Sequence, residues 1–178
     1  MLLGVLLFTT GTSIGATLRV PQDYPTIQAA VDAAAPGDEI LISSGSYPEG
    51  VEIEKSITLR ATGEVQVGDS LLAGVCVRAG EVLIEGLGLA GALRVEGTAH
   101  VVLSRCTLEG TWVSGGSTLE LVDCGAAGGT FGLYAMGPAI LLARRSELAG
   151  ISLMMGAQLI LEAVSYTHLR AHETRHDL

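Results

Sequence analysis

Apolar positions first fall on a helical period. Ile27, Ala30, Val31 and Ala34 stand at i, i+3, i+4 and i+7, one face of an amphipathic helix. Pro25 and Thr26 suit its first turn, where a missing N–H costs nothing. Pro36-Gly37 ends it, because proline cannot continue a helix and glycine turns cheaply. The spacing therefore predicts a helix over 25–35. After it the period changes to two. Glu39–Ile42 reads as a strand, Ser43–Ser46 as a turn, and Val51–Ile53 and Ile57–Leu59 as further strands.

Beyond Thr62 the strands recur at a fixed interval. Glu81–Ala99, His100–Ser117, Thr118–Pro138 and Ala139–Ala157 align with one another at lengths of 19, 18, 21 and 19, and another unit opens at Gln158. Each holds an apolar strand, a glycine, a second short strand and another glycine, with Gly97, Gly116, Gly137 and Gly156 preceding the next unit. One such unit cannot bury its apolar face alone, so units stack and share a core. This predicts a solenoid with parallel strands about 4.8 Å apart. Val82/Ile84, Val101/Leu103, Leu119/Leu121, Ile140/Leu142 and Leu159/Leu161 are the expected inward ladder. On the second strand it is Leu93/Val95, Trp112 or Val113, Phe131/Leu133 and Ile151/Leu153. Thr118–Pro138 is the longest unit, which suggests a loop around Tyr134-Ala135-Met136. A leucine-rich repeat fits worse, for want of asparagine and of the L-x-x-L-x-L frame, and a β-sandwich needs no fixed period.

The segment Asp23–Gly63, DYPTIQAAVDAAAPGDEILISSGSYPEGVEIEKSITLRATG, resembles the first coil of right-handed parallel β-helix proteins of the pectin-lyase-like superfamily. The resemblance implies an all-β fold, a right-handed parallel β-helix with an N-terminal capping helix. Such a helix would cover the open end of the stack, whose unpaired N–H and C=O groups invite edge association. No matching C-terminal cap is visible. A fold of this kind does not by itself fix a chemistry.

Composition sharpens the picture. At 178 residues the chain suits one domain; it is 48% hydrophobic but only 4% aromatic, with 24 glycines. Leu, Val, Ile and Ala without aromatics suit flat stacked layers. A net charge of −9 argues against a nucleic-acid partner. There is no Asn, hence no N-glycosylation sequon and no asparagine ladder, and Lys55 is the only lysine, which suggests a GC-rich source.

Met1–Ala16 carries the apolar run Leu2–Phe8 and then small residues, like a signal peptide cut near Gly15 or Ala16. The expected locations are the cell surface, the periplasm or the medium. No segment is long and apolar enough for a membrane span. The β-helix domain is then 17–163. The stretch Val164–Thr174 breaks the repeat and resembles the one-frame translation of a transposase-type sequencing adapter, so 164–178 is read as a non-native tail on a truncated chain. It holds His172-Glu173-Thr174-Arg175-His176, a match to the zinc-binding H-E-x-x-H. That match is set aside: only two residues follow His176, and His100 is the sole histidine outside the tail. No metal and no cofactor is expected.

Two constellations carry candidate chemistry. Cys106 and Cys124 share a slot 18 residues apart, with Leu87 before and Val164 after; they are either a disulfide or two small buried hydrophobes, and Cys76 lies elsewhere. Arg105, Asp123 and Arg144 share the next slot outward. They form either a surface salt ladder or a patch contacting sugar or carboxylate, since guanidinium forks suit uronates. The superfamily's lyases, esterases and galacturonases imply clustered aspartates, but only Asp69 and Asp123 lie between Thr62 and the tail. Glu85 and Glu162 are isolated, so no acid–base pair is formed. The sequence thus reads as a secreted or surface repeat protein with a binding or structural role, polysaccharide being the expected partner and end-to-end association through the open last strand a second one. The alternative is a fragment of a carbohydrate-active enzyme whose catalytic coils are missing. A copper-loading factor ranks behind both, for want of patterned Met or His ligands.

Overall fold

A computed structural model describes residues 15–69, 74–126, 132–148, 150–166 and 169–171. Strands of alternating burial stack in parallel as a β-solenoid of about 7 turns. Eight of them form the first sheet: Thr17–Val20, Glu39–Ile42, Ile57–Ala61, Glu81–Glu85, His100–Ser104, Thr118–Val122, Ile140–Arg144 and Gln158–Glu162. Every pairing among them is parallel and joins one coil to the next. A ten-stranded second sheet stacks the returning strands, among them Gly88–Val95, Thr107–Val113, Gly132–Met136 and Gly150–Met154. The backbone pairing continues to Leu169–Ala171 in the second sheet, and Ser165–Tyr166 pairs with Glu147–Leu148. His172–His176 lies outside the described residues.

The core is a set of straight columns, since in-register parallel strands put like positions above one another. Leu18, Ile40, Leu59, Ile84, Leu103, Leu121 and Ala143 are buried in one column; Ile57, Val82, Val101, Leu119 and Leu141 in the next. Leu159 and Leu161 pack partly buried at the last rung. Ile84, Leu103 and Leu121 are fully buried, each stabilising the stack by about 1.5–3 kcal/mol.

One rung departs from the expected register. Leu141 and Ala143 face inward, not Ile140 and Leu142. Ile140-Leu141-Leu142-Ala143 is apolar throughout, so no alternation marks the inner face. The stacking does so instead, pairing Leu119 with Leu141 and Leu121 with Ala143. On the second sheet Val113 points in and Trp112 out, with Thr111 also inside. Leu93, Val95, Leu133 and Ile151 are buried as expected, and Leu153 is half-buried. Phe131 lies outside the described residues. Tyr134-Ala135-Met136 is not a loop: it belongs to the strand Gly132–Met136, paired on both sides. The extra length falls earlier, where residues 127–131 stand between Ala126 and Gly132 while Glu109 alone separates Leu108 from Gly110 on the coil before.

The helix α1 spans Ile27–Ala33, shorter at both ends than 25–35. Thr26 is extended and its hydroxyl accepts from the Ala29 N–H at 3.1 Å. The Glu49 carboxylate accepts from the Ile27 and Gln28 N–H groups at 2.9 and 3.1 Å, so first-turn donors left open by the helix are satisfied from the next coil. Ala34 is extended and ends the helix, and the Lys55 ammonium donates to its carbonyl at 2.9 Å. Ile27, Ala30 and Val31 are buried, and α1 packs against Thr17–Val20, Glu39–Ile42 and Val51–Ile53.

Candidate functional site

Where each of the last five first-sheet strands turns toward the second sheet, one residue adopts positive φ. These are Gly86, Arg105, Asp123, Arg145 and Ala163, with φ of 74, 53, 53, 45 and 53°. Arg105 and Asp123 therefore share a column as expected, but Arg145 completes it. Arg144 is the last residue of its strand, level with Val122. The one-residue offset that turned Leu141 inward also moved the arginine.

These side chains satisfy one another. Arg145 grips Asp123 with two hydrogen bonds, 2.6 and 2.8 Å long. Arg105 pairs with Glu85. Arg144 bridges Glu120 at 2.7 Å and Glu162 at 3.0 Å, and Arg60 bridges Glu39 at 3.3 Å and Glu85 at 3.0 Å. The Arg145 hydrogen bonds hold the Asp123 carboxyl below the usual carboxylate range. All of these groups are solvated, so the pairs add little to stability. Each guanidinium in this lattice already holds a carboxylate, which leaves it a weak receptor for an external anion.

Just inside that corner runs a second column: Leu87, Cys106, Cys124, Ser146 and Val164. Ser146 fills the rung the sequence reading passed over, and its hydroxyl accepts the Cys124 N–H at 3.1 Å. Both thiols are free and buried. The neighbouring Cys124 thiol and burial push Cys106 up, while the neighbouring Cys106 thiol favours the Cys124 thiolate. Cys76 sits on the outward side of the second sheet. There a cavity of about 190 Å³ is lined by Glu52, Cys76, Arg78 and Arg94, and burial pushes the Cys76 thiol up.

The outward face of the second sheet holds the surface that the sequence reading missed. The register stacks Cys76, Arg94, Trp112, Tyr134 and Ser152 in one outward column. Trp112 and Tyr134 are stacked, ring centroids 4.8 Å apart and planes 24° apart, and they stay 48% and 38% exposed. On one side of them the outward positions are Ala92, Gly110, Gly132 and Gly150, a floor without bulky side chains. The Tyr134 ring leans over Gly132: a Cβ placed there would come within 2.7 Å of it. On the other side Met136 and Met154 are neighbours on successive rungs, 36% and 37% exposed. Arg94, next to Trp112, holds no hydrogen bond or ion pair among the described residues. The result is an aromatic wall over a flat glycine shelf, with the Arg94 guanidinium at one end.

A cell-surface protein shares part of this sequence. Over 125 residues the chain is 26% identical to a cell surface glycoprotein of Methanothermus fervidus; the match covers 65% of this chain and 21% of that protein. The chain thus spans about a fifth of that relative's length. No protein-family model matches it. No solved structure matches it either. The parallel solenoid and the likeness to a surface glycoprotein fit a surface repeat protein. Among the described residues no helix is long and apolar enough to cross a membrane, and no three His, Cys, Asp or Glu side chains gather as a metal site.

Two sequence signals pointed at the shelf. Trp112 is the only tryptophan, and Tyr134 is one of 4 tyrosines. Glycines two residues before each, Gly110 and Gly132, mark outward positions that carry no side chain beside the rings. The apolar character of Trp112 hid this, because an aromatic ring on a strand reads as core until its rung neighbours are known.

Proposed function

We propose that the chain is part of an exported or cell-surface repeat protein, a right-handed β-helix of the pectin-lyase-like kind, that binds polysaccharide on the outward face of its second sheet. The observation that carries this reading is the exposed Trp112–Tyr134 stack above the glycine shelf. A rigid aromatic pair offers a large contact area at little entropic cost, and a flat apolar face matches the C–H face of a sugar ring. A contiguous exposed patch with Met136 and Met154 is what a binding site needs and a plain structural coil does not. Arg94 supplies a charge-assisted donor beside the platform for hydroxyl or carboxylate oxygens. The helix α1 takes the capping role, since it lies against the first strands of the stack and buries Ile27, Ala30 and Val31 there.

Trp112 reports on its own site, being the single tryptophan. Titration with neutral and acidic polysaccharides shifts its emission, and affinity gels retard the wild type. Trp112→Ala and Tyr134→Ala migrate unretarded, by loss of roughly 1–3 kcal/mol of stacking per ring, on the scale measured for base–aromatic pairs. Emission that stays put across the whole panel, or a Trp112→Ala variant retarded like the wild type, overturns the reading.

A further inference from the structure

We propose that Cys106 and Cys124 are a disulfide site that staples two successive coils. The two residues are level on adjacent rungs, because the pairs on either side of them, Ser104 with Val122 and Thr107 with Gly125, are in parallel register. Their Cα atoms are then one strand spacing apart, about 4.8 Å. That lies inside the 4.4–6.8 Å range of disulfides. The side chains point the same way. Cys106 Sγ donates to the Ile84 carbonyl at 3.5 Å and the Ser104 carbonyl at 3.4 Å; Cys124 Sγ makes the equivalent contacts with Leu103 and Val122 at 3.5 and 3.4 Å. Both side chains are buried at matching positions on successive rungs.

The partner choice is unambiguous. Cys76, the remaining cysteine, is on the outward side of the second sheet, so it does not compete. This inference rests on the proposed export, which would bring the thiols to a setting with oxidants. The oxidant is a disulfide donor, a small-molecule disulfide or an exported oxidoreductase. One cysteine thiolate attacks the donor disulfide, forms a mixed disulfide and expels a donor thiol. The second cysteine thiolate then attacks the protein sulfur and expels the other donor thiol. The protein loses two hydrogens and two electrons stay with the donor. Both sulfurs are buried once the coils close, so the exchange occurs while this part of the stack is still open, and the finished bond is shielded from reductant.

The test is to unfold the full chain with reductant and refold it in mixed reduced and oxidised glutathione. The product is then alkylated under denaturing conditions. The refolded protein is expected to take up one alkyl group, at Cys76, against three for the reduced chain. Cleavage after Glu109 and Glu120 leaves the Cys106 and Cys124 peptides joined until reductant is added. The oxidised form melts several degrees higher than the reduced one, because the bond constrains the unfolded chain. Cys76→Ser keeps the bond; Cys124→Ser loses it and the gain in melting temperature. Three alkyl groups on the refolded wild type, or Cys76 within the joined peptides, overturns the proposal.

Discussion

Thr111 shows how little tolerance an inward column has. It stands between Leu93 and Leu133 in the core of the second sheet, fully buried, and its hydroxyl has no hydrogen-bond partner among the described residues. An unpaired buried hydroxyl costs about 1–3 kcal/mol. Thr111→Val keeps the shape and removes that cost, so urea melts are expected to show a gain of about 1 kcal/mol; a loss would mean that the hydroxyl is satisfied after all. Asp123 carries the pH dependence at this scale. Its carboxyl is held low by Arg145, so the pair's contribution is present above the unfolded carboxylate value of about 3.9 and lost as pH falls through the lower folded value. Thermal midpoints of the wild type and Arg145→Ala should differ near neutrality and converge in acid below about pH 4. A constant gap through the acid range would point away from this ion pair. Arg144 and Arg145 also mark where single residues ceased to be legible. Both are adjacent arginines at a corner, and only the accumulated rung count decides which one meets Asp123.

Elements were more legible than residues, and for a physical reason. A strand with one buried face writes its period into the sequence, as Val82/Ile84, Val101/Leu103 and Leu119/Leu121 do. Gly132–Met136 was misread because its unit is lengthened before the strand, at residues 127–131, and the surplus was placed within it. The helix was visible from its four apolar positions, but its ends depended on Glu49 and Lys55, which come from the next coil and leave no local trace. The outermost described strand of the first sheet, Gln158–Glu162, pairs on one side with Ile140–Arg144. Its outward Ile160 is 48% exposed, level with Leu142 on the neighbouring strand. An apolar, flat edge of this kind templates association, and a lysine blunts it. Sedimentation is expected to show concentration-dependent oligomers for the wild type and fewer for Ile160→Lys. An unchanged distribution would place the contact elsewhere.

At the scale of the molecule, the repeat reveals the fold because each coil meets only its neighbours, so one unit repeated is nearly the whole design. The shelf is a different matter. Trp112, Tyr134 and the glycines beside them are 18 to 22 positions apart, and they become one surface only after every intervening corner has been counted. The same construction sets how the protein answers a pull. Hydrogen bonds between coils lie along the stacking direction, with each rung held to the next by one row per sheet. Tension applied along that axis loads a single interface at a time, so the stack pays out chain coil by coil at a low and nearly steady force. Tension applied across it, along the strands, must shear a whole row together and meets a much stiffer spring. A bond between Cys106 and Cys124 would turn one such interface into a stop.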